Sequence, residues 1–490
     1  MESESFGKGA WPAALAASLA ILTALFIWQP QTRPTGLLRD FNAFYCAGRA
    51  LANGSDPYRA EPLGSCERAV KPPFASGIAG LAVPAPLPPY ALAPFRALAM
   101  LPYPAAAALW LLFLVGAVAL AVAATHRATD LPLSGLIAGF ALGDGYASLC
   151  LGQLAPIAVA AITVATACAQ RHRYRAAAFA AALAMVEPHV ALPACLALFL
   201  WRPAARVPLA AAALALLALS IATGGMATNL EYVRQVVAAH GLSEIGNEKQ
   251  LSLTYLVHRF GAGDAQALRI GEMWYAGMLI AGALAAARLA RRFNSDGLIA
   301  AVPPAMALVG GPFVHIAQIP AALPAAFLLY ANAPRLRVPF ALSIVALAIP
   351  WMQFVSLGTI FPLLAGACAG VLVWRLLGVR PPFALVSGLA ALCFAGAPTF
   401  LVSTRVPAAQ RLLVAAYDPR ALAEASWGAY VQAVATWNLP AYDLARLPTL
   451  TGIVTLAFGA AALAFGRRAI GAGAPSPYVE KGTWPLRESA

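Results

Sequence analysis

Apolar runs of roughly membrane length recur along nearly the whole chain, and they narrow the possible folds more than any motif does. A spanning helix needs roughly 20 apolar residues. Candidate runs lie near residues 11–29, 105–125, 131–149, 154–170, 207–223, 268–288, 297–311, 314–332, 338–352, 355–375, 382–402 and 448–466. Two shorter runs, 175–186 and 189–201, flank Glu187-Pro188-His189 and read as a tight helical hairpin. Together they predict an all-α polytopic membrane protein with about 12–14 transmembrane helices. Composition points the same way: 61% of the residues are hydrophobic and 11% are charged, with a mean hydropathy of +0.73. A soluble domain carries about 25% charged residues, so lipid is the solvent for most of this chain. The run at 11–29 lacks a small-residue cleavage site and reads as a retained first helix.

The net charge of +13 is not the signature of a nucleic-acid binder, because the basic residues sit in short clusters between apolar runs. Arg171, Arg173 and Arg175 form one such cluster, Arg202 and Arg206 a second, and Arg288, Arg291 and Arg292 a third. Arg335 with Arg337, and Arg467 with Arg468, follow. Loops of this kind face the cytoplasm, and the turns alternating with them, at 150–153, 187–188, 312–313 and 353–354, carry no Lys or Arg. The expected topology is a single transmembrane domain over 1–468, both termini cytoplasmic, with a cytoplasmic tail at 469–490. Three long polar segments, 30–104, 224–267 and 403–447, then fall outside. The stretch 74–101 is broken by Pro84, Pro86, Pro88, Pro89 and Pro94. It reads as interfacial or re-entrant helices that do not cross.

The first outer segment carries the densest pattern. Asp40 precedes Phe41, Phe44 and Tyr45, an apolar face at helical spacing suited to a helix lying in the membrane interface. Asn53-Gly54 supplies a stop. Asp40 at that position either caps the helix or presents a carboxylate whose partial burial raises its pKa and suits it to accept protons. Cys46 and Cys66 share the segment, as one disulfide or as two free thiols.

The pattern D-x-x-x-x-Y-x-A-x-x-A-L-x-x-G-x-D-P-Y, from Asp40 to Tyr58, resembles the signature of glycosyltransferase family 87. Lys71-Pro72-Pro73, the Gly152-Gln153 turn and Pro188 in the half-helix pair resemble further family features in order. The resemblance spans roughly residues 11–335. It implies a GT-C-type helical bundle with interfacial helices in the first outer loop. It also implies an inverting transfer of a sugar, mannose first, from a polyprenyl-phosphate donor to a hydroxyl acceptor, with Asp40 as the general base. The acceptor would be a glycolipid or glycan, and the setting the inner membrane of a bacterium. The chain departs from the family at Glu187, where the family often carries a Lys.

Several further residues are candidates for donor-phosphate or sugar contact. They are His315 after Gly310-Gly311-Pro312, His189 and Glu187 in the hairpin, His258 and Arg259 near Lys249-Gln250, Lys71, Tyr45 and Arg49. Asp144, in an apolar run, is a functional hypothesis by its location, as a second acid, a sugar-hydroxyl acceptor or a partner for Arg49. For each, a structural role is the alternative: an interhelical hydrogen bond for His189, a solvated loop charge for Arg259. Tyr417, Trp427, Tyr430, Trp437 and Tyr442 are available to stack on sugars or to form an interfacial belt. There is no zinc spacing, DxD, Walker A or GxGxxG pattern, so no metal or cofactor is expected. Membrane lipids are expected partners. A secondary transporter and a non-catalytic lipid-binding protein are the competing classes.

Overall fold

The computed structural model describes residues 38–70, 81–353, 370–372, 374–378, 417–434 and 439–466. The expected spans near 11–29 and 382–402, most of 355–375, Lys71, Trp437 and the tail at 469–490 lie outside the described residues. Within them the secondary structure is helical, apart from an isolated antiparallel bridge between Arg59 and Leu422.

Four helical stretches are long and apolar enough to cross a membrane: Tyr103–Thr129, Pro203–Glu244, Asp264–Phe293 and Pro440–Phe465. A fifth is counted if Ile316–Asn332 and Pro334–Ala348, bent by 118° at Ala333, form one broken span. The ends of these helices follow from local chemistry. Tyr103–Thr129 starts behind Pro102 and stops at Asp130, whose left-handed backbone returns its N–H to the His126 carbonyl. Asp264–Phe293 stops the same way at Asn294, with Arg291 and Arg292 in the last turn complementing the helix dipole. Large side chains such as Leu112, Phe113, Leu214, Phe458 and Met273 stand exposed on the four stretches, as lipid contact requires and water would penalise.

The remaining apolar runs fold as shorter helices: Leu133–Tyr146, Ala155–Gln170, Pro188–Trp201 and Gly297–Ala307. The sixteen residues of Ala155–Gln170 measure roughly 24 Å, less than the ~30 Å hydrocarbon core. Among the described residues, four or five stretches are thus long enough to cross by length and composition alone, and several shorter apolar helices stand beside them. Gly297–Ala307 is wrapped by protein, every residue of it buried, whereas Pro188–Trp201 also exposes Leu192, Phe199 and Leu200. Apolarity records that burial, while prolines and polar turns limit their length. Close approach depends on glycine at a few points. A Cβ on Gly143 would meet Pro320 Cγ at 2.8 Å, and one on Gly139 would meet Phe327 Cζ at 2.9 Å.

Helices Ala155–Gln170, Pro188–Trp201 and Gly297–Ala307 each run from one end of the bundle to the other. At one end Asp296 gathers the basic turns, accepting from Arg202 and Tyr174 and lying 3.3 Å from His172 Nδ1. At the other end lie the 150–153 turn, Glu187, residues 244–250 and residues 310–315, and there Asp40 is seated.

Helix Phe41–Ala52 corrects one expectation. Phe41, Phe44 and Tyr45 do not rest in a lipid interface; all three are buried. They pack into an aromatic cluster with Phe95, Tyr103 and Trp110, with Phe41 stacked on Trp110 at 5.8 Å and Phe95 at 4.8 Å from Trp110. Protein aromatics satisfy the same amphipathic face that lipid would. Gly48 permits the fit, since a Cβ there would lie 2.3 Å from the Phe95 carbonyl carbon and oxygen. The ten-residue helix Pro89–Leu98 is too short to cross, as its prolines predict. Cys46 and Cys66 are joined as a disulfide, which decides between the two options left open. Residues 417–434 strap this region, with Ala60 N donating to Ala421 O and Ala423 N to Tyr58 O, both at 2.9 Å.

Candidate functional site

Asp40 sits at the N-terminus of helix Phe41–Ala52, but its side chain makes no capping bond. It faces the 150–153 turn instead, where Gln153 Nε2 donates to its Oδ2. The backbone of the turn fixes the register: Asp40 N donates to Leu151 O at 2.8 Å and Arg39 N to Cys150 O at 3.0 Å. Those carbonyls belong to the π-helical turn Ala147–Leu151, whose wider winding turns acceptors away from the ordinary helical ladder. Gly152 then takes a positive φ of 69°, and a Cβ on it would meet Phe41 Cβ at 2.9 Å. Trp110 Nε1 donates to Gly152 O at 2.8 Å, and Gln153 N to Ala147 O at 2.9 Å. The Gly-Gln turn is thus a bracket that only glycine fits, and it aims Gln153 at the carboxylate.

Burial raises the Asp40 pKa, while the charges of Arg39, His315 and Lys249 and the bond from Gln153 work against the rise. The result is a half-buried carboxylate above the usual range. Lys249 shifts the opposite way, lowered by burial and by the Arg39 charge, with Glu248, Asp40 and Glu244 opposing. Its ammonium lies 6.0 Å from the Tyr442 ring centroid.

His315 lies beside this group. Its Nε2 is 2.9 Å from Gln250 Nε2 and 3.6 Å from Glu244 Oε2, and 30% of its side chain is exposed. Gln250 is oriented by Val314 N, which donates to its Oε1 at 3.0 Å. Glu244 also accepts from Trp427 Nε1 and, at 2.7 Å, from Asn247 Nδ2. The polar track continues through Gln318. Its Oε1 accepts from His315 N at 2.9 Å, and its Nε2 donates to Glu187 Oε2 at 3.4 Å. Glu187 in turn is 3.9 Å from His189 Nδ1, and Tyr275 Oη donates to the His189 carbonyl at 2.6 Å.

The structure therefore brings together Asp40, His315, Glu187 and His189, drawn from three distant stretches. Other candidates fall elsewhere. Arg259 lies 3.6 Å from Asp443 and His258 3.3 Å from Asp264, both at the surface. Tyr45 Oη donates to Leu101 O at 2.9 Å from within the aromatic cluster. Arg49 is exposed, whereas Asp144 is 0% exposed and neither of its carboxylate oxygens has a hydrogen-bond partner, so the two do not pair. Lys71 lies outside the described residues. Of the aromatic candidates, Trp427 serves Glu244 and Tyr417 Oη donates to Glu61.

Reading the sequence missed Arg39, His240, Glu244 and Gln318 as members of the cluster. His240 and Glu244 stand one helical turn apart in Val237–Glu244, a spacing that signals a shared face; nothing local signalled Gln318, which acts by bridging two loops.

Residues 87–310 match the profile of Glycosyltransferase family 87. The matched segment holds Gln153, Glu187, His189, Glu244, Lys249 and Gln250; Asp40 and His315 lie on either side of it. No curated protein and no solved structure matches the chain.

Proposed function

Because the chain belongs across residues 87–310 to glycosyltransferase family 87, a family of membrane glycosyltransferases with the GT-C fold, we propose that it moves a sugar from a polyprenyl-phosphate donor to a hydroxyl acceptor, with Asp40 as the general base. The sugar is mannose, the acceptor a glycolipid or glycan, and the reaction takes place on the extracytoplasmic face of a bacterial inner membrane. The observation that carries this reading is the Asp40 carboxylate, braced by Gln153 and lying in the field of Lys249 and His315.

In this mechanism the acceptor hydroxyl approaches Asp40 Oδ1, the oxygen that Gln153 does not occupy. As the hydroxyl oxygen attacks the anomeric carbon, its proton passes to Asp40 and the bond to the phosphate oxygen breaks. The phosphate leaves already ionised, so no general acid is needed. Lys249 and Arg39 supply positive charge where negative charge gathers, and His315 and Gln250 offer ring and amide contacts to phosphate or sugar. A single displacement inverts the anomeric configuration. Holding both substrates against one carboxylate supplies the larger part of the rate gain through orientation. The exposed apolar faces of the long helices provide the surface against which an isoprenoid tail lies.

The test is transfer itself. Membranes containing the full chain are incubated with radiolabelled polyprenyl-phosphate mannose and an envelope-lipid extract. Label in a new lipid or polymer, absent from membranes without the chain, is the expected result. Label that stays on the donor at equal protein level, with mannose and with pentose donors, would overturn the proposal.

A further inference from the structure

His240, Glu244 and His315 each offer one ligand atom, and the three atoms lie within 4.8 Å of one another. We infer that these residues bind a first-row divalent cation of the zinc class, beside the Asp40 carboxylate.

Two imidazoles and one carboxylate are the donor set that such ions favour. The calcium and magnesium class prefers oxygen ligands throughout. Small side-chain movements bring three atoms so close together to the roughly 2.0–2.2 Å of nitrogen and oxygen bonds to zinc. His240 and Glu244 share one face of helix Val237–Glu244, an arrangement that fixes two ligands at once. His315 arrives from the start of the 3-10 helix Ile316–Ala322.

Two observations point to a ligand rather than to packing alone. His240 Nδ1 is buried with no hydrogen-bond partner, an uncompensated loss that binding a cation would relieve. Glu244 is 3% exposed, and its carboxylate is oriented from outside by Trp427, Asn247 and Gln250. That is the outer shell a ligating carboxylate requires. His315 keeps 30% exposure, which leaves a coordination position open on its side.

The His315 ring also accepts the Gln318 N–H as a helix cap. When Nε2 takes the ion, the ring proton sits on the other nitrogen and that bond is lost; the Gln250 amide, 2.9 Å from Nε2, gives up that contact too and keeps Glu244 as its acceptor. The Gln318 N–H retains the His315 carbonyl oxygen at 3.0 Å, so binding strands no backbone donor. The inference goes beyond the sugar-transfer proposal and does not need it. A bound ion without transfer would support the site and count only against that proposal.

The experiment uses the full chain in lipid nanodiscs, stripped with a chelator and titrated with Co2+ as the probe. The expected result is one Co2+ per chain with visible absorption of low-coordinate cobalt, displaced by Zn2+. Glu244→Gln should weaken binding by more than the roughly 10–100-fold typical of losing an outer-shell partner. His240→Cys keeps a ligand at that position and should add a thiolate-to-cobalt charge-transfer band. Absence of stoichiometric binding by the wild type would overturn the inference. So would a Co2+ affinity unchanged by Glu244→Gln but lost in His258→Ala, which would place the ion at the surface pair of His258 and Asp264.

Discussion

Removing the Gln153 amide tests how the carboxylate is tuned. Gln153→Leu keeps the size of the side chain and leaves the backbone bracket intact, because the bonds from Asp40 N to Leu151 O and from Trp110 to Gly152 O do not involve the side chain. What is lost is one neutral donor to an ionised, half-buried acceptor. Hydrogen bonds to charged groups contribute about 1.5–3 kcal/mol, and one pKa unit corresponds to about 1.4 kcal/mol. The Asp40 pKa, already raised by burial, should therefore rise further by about 1–2 units. The sign follows from the role. A general base acts only when deprotonated, so activity is present above its pKa and is lost as pH falls through it. The acid limb of kcat/KM for transfer should thus move to higher pH by about 1–2 units, with a smaller loss at the alkaline plateau from poorer orientation. The assay is labelled transfer across a pH series at matched protein level. An acid limb at the wild-type position, whatever the plateau rate, would refute the claim that Gln153 tunes the base.

Four further outcomes follow from packing and pairing. Gly48→Ala places a Cβ against the Phe95 backbone and should cost at least about 1–3 kcal/mol, lowering the melting temperature in detergent. Gly116→Ala, in open space on Tyr103–Thr129, should leave stability unchanged or raise it by about 0.5–1 kcal/mol. Replacing Cys46 and Cys66 by Ser removes a crosslink over a sequence separation of 20 and should cost about 2–4 kcal/mol; thiol counting by mass spectrometry before and after reduction checks the bond directly. Arg202→Met strips the two-point contact from Asp296. With 25% and 13% side-chain exposure, the loss should be about 1–3 kcal/mol, below the ~3–5 kcal/mol of a fully buried pair, and thermal unfolding followed by tryptophan fluorescence reads it.

The helical, membrane character of the chain was legible because apolarity needs no tertiary information. Which apolar runs become long helices was not, since a run such as 297–311 is equally apolar whether lipid or protein surrounds it, and Gly297–Ala307 within it is buried in protein. The same ambiguity moved Phe41, Phe44 and Tyr45 from an interface to an aromatic core. Asp40 and the Gly152-Gln153 turn were both readable as motifs; that one braces the other depends on a contact across 113 residues, which no local pattern encodes. Glu187 stood out as a carboxylate in an apolar hairpin. Its link to His315 through Gln318 is invisible in sequence, because a glutamine in an apolar run carries no signal of the two loops it joins.

The central claim, that Asp40 takes the acceptor's proton, is tested most directly by comparing wild type and Asp40→Asn in lipid nanodiscs, with donor binding and transfer measured on the same samples. General-base removal should lower transfer by about 10²–10⁴-fold while the variant binds the polyprenyl-phosphate donor at least as tightly as the wild type, since a negative charge near the phosphate is gone. Transfer by Asp40→Asn at the wild-type rate would contradict the account.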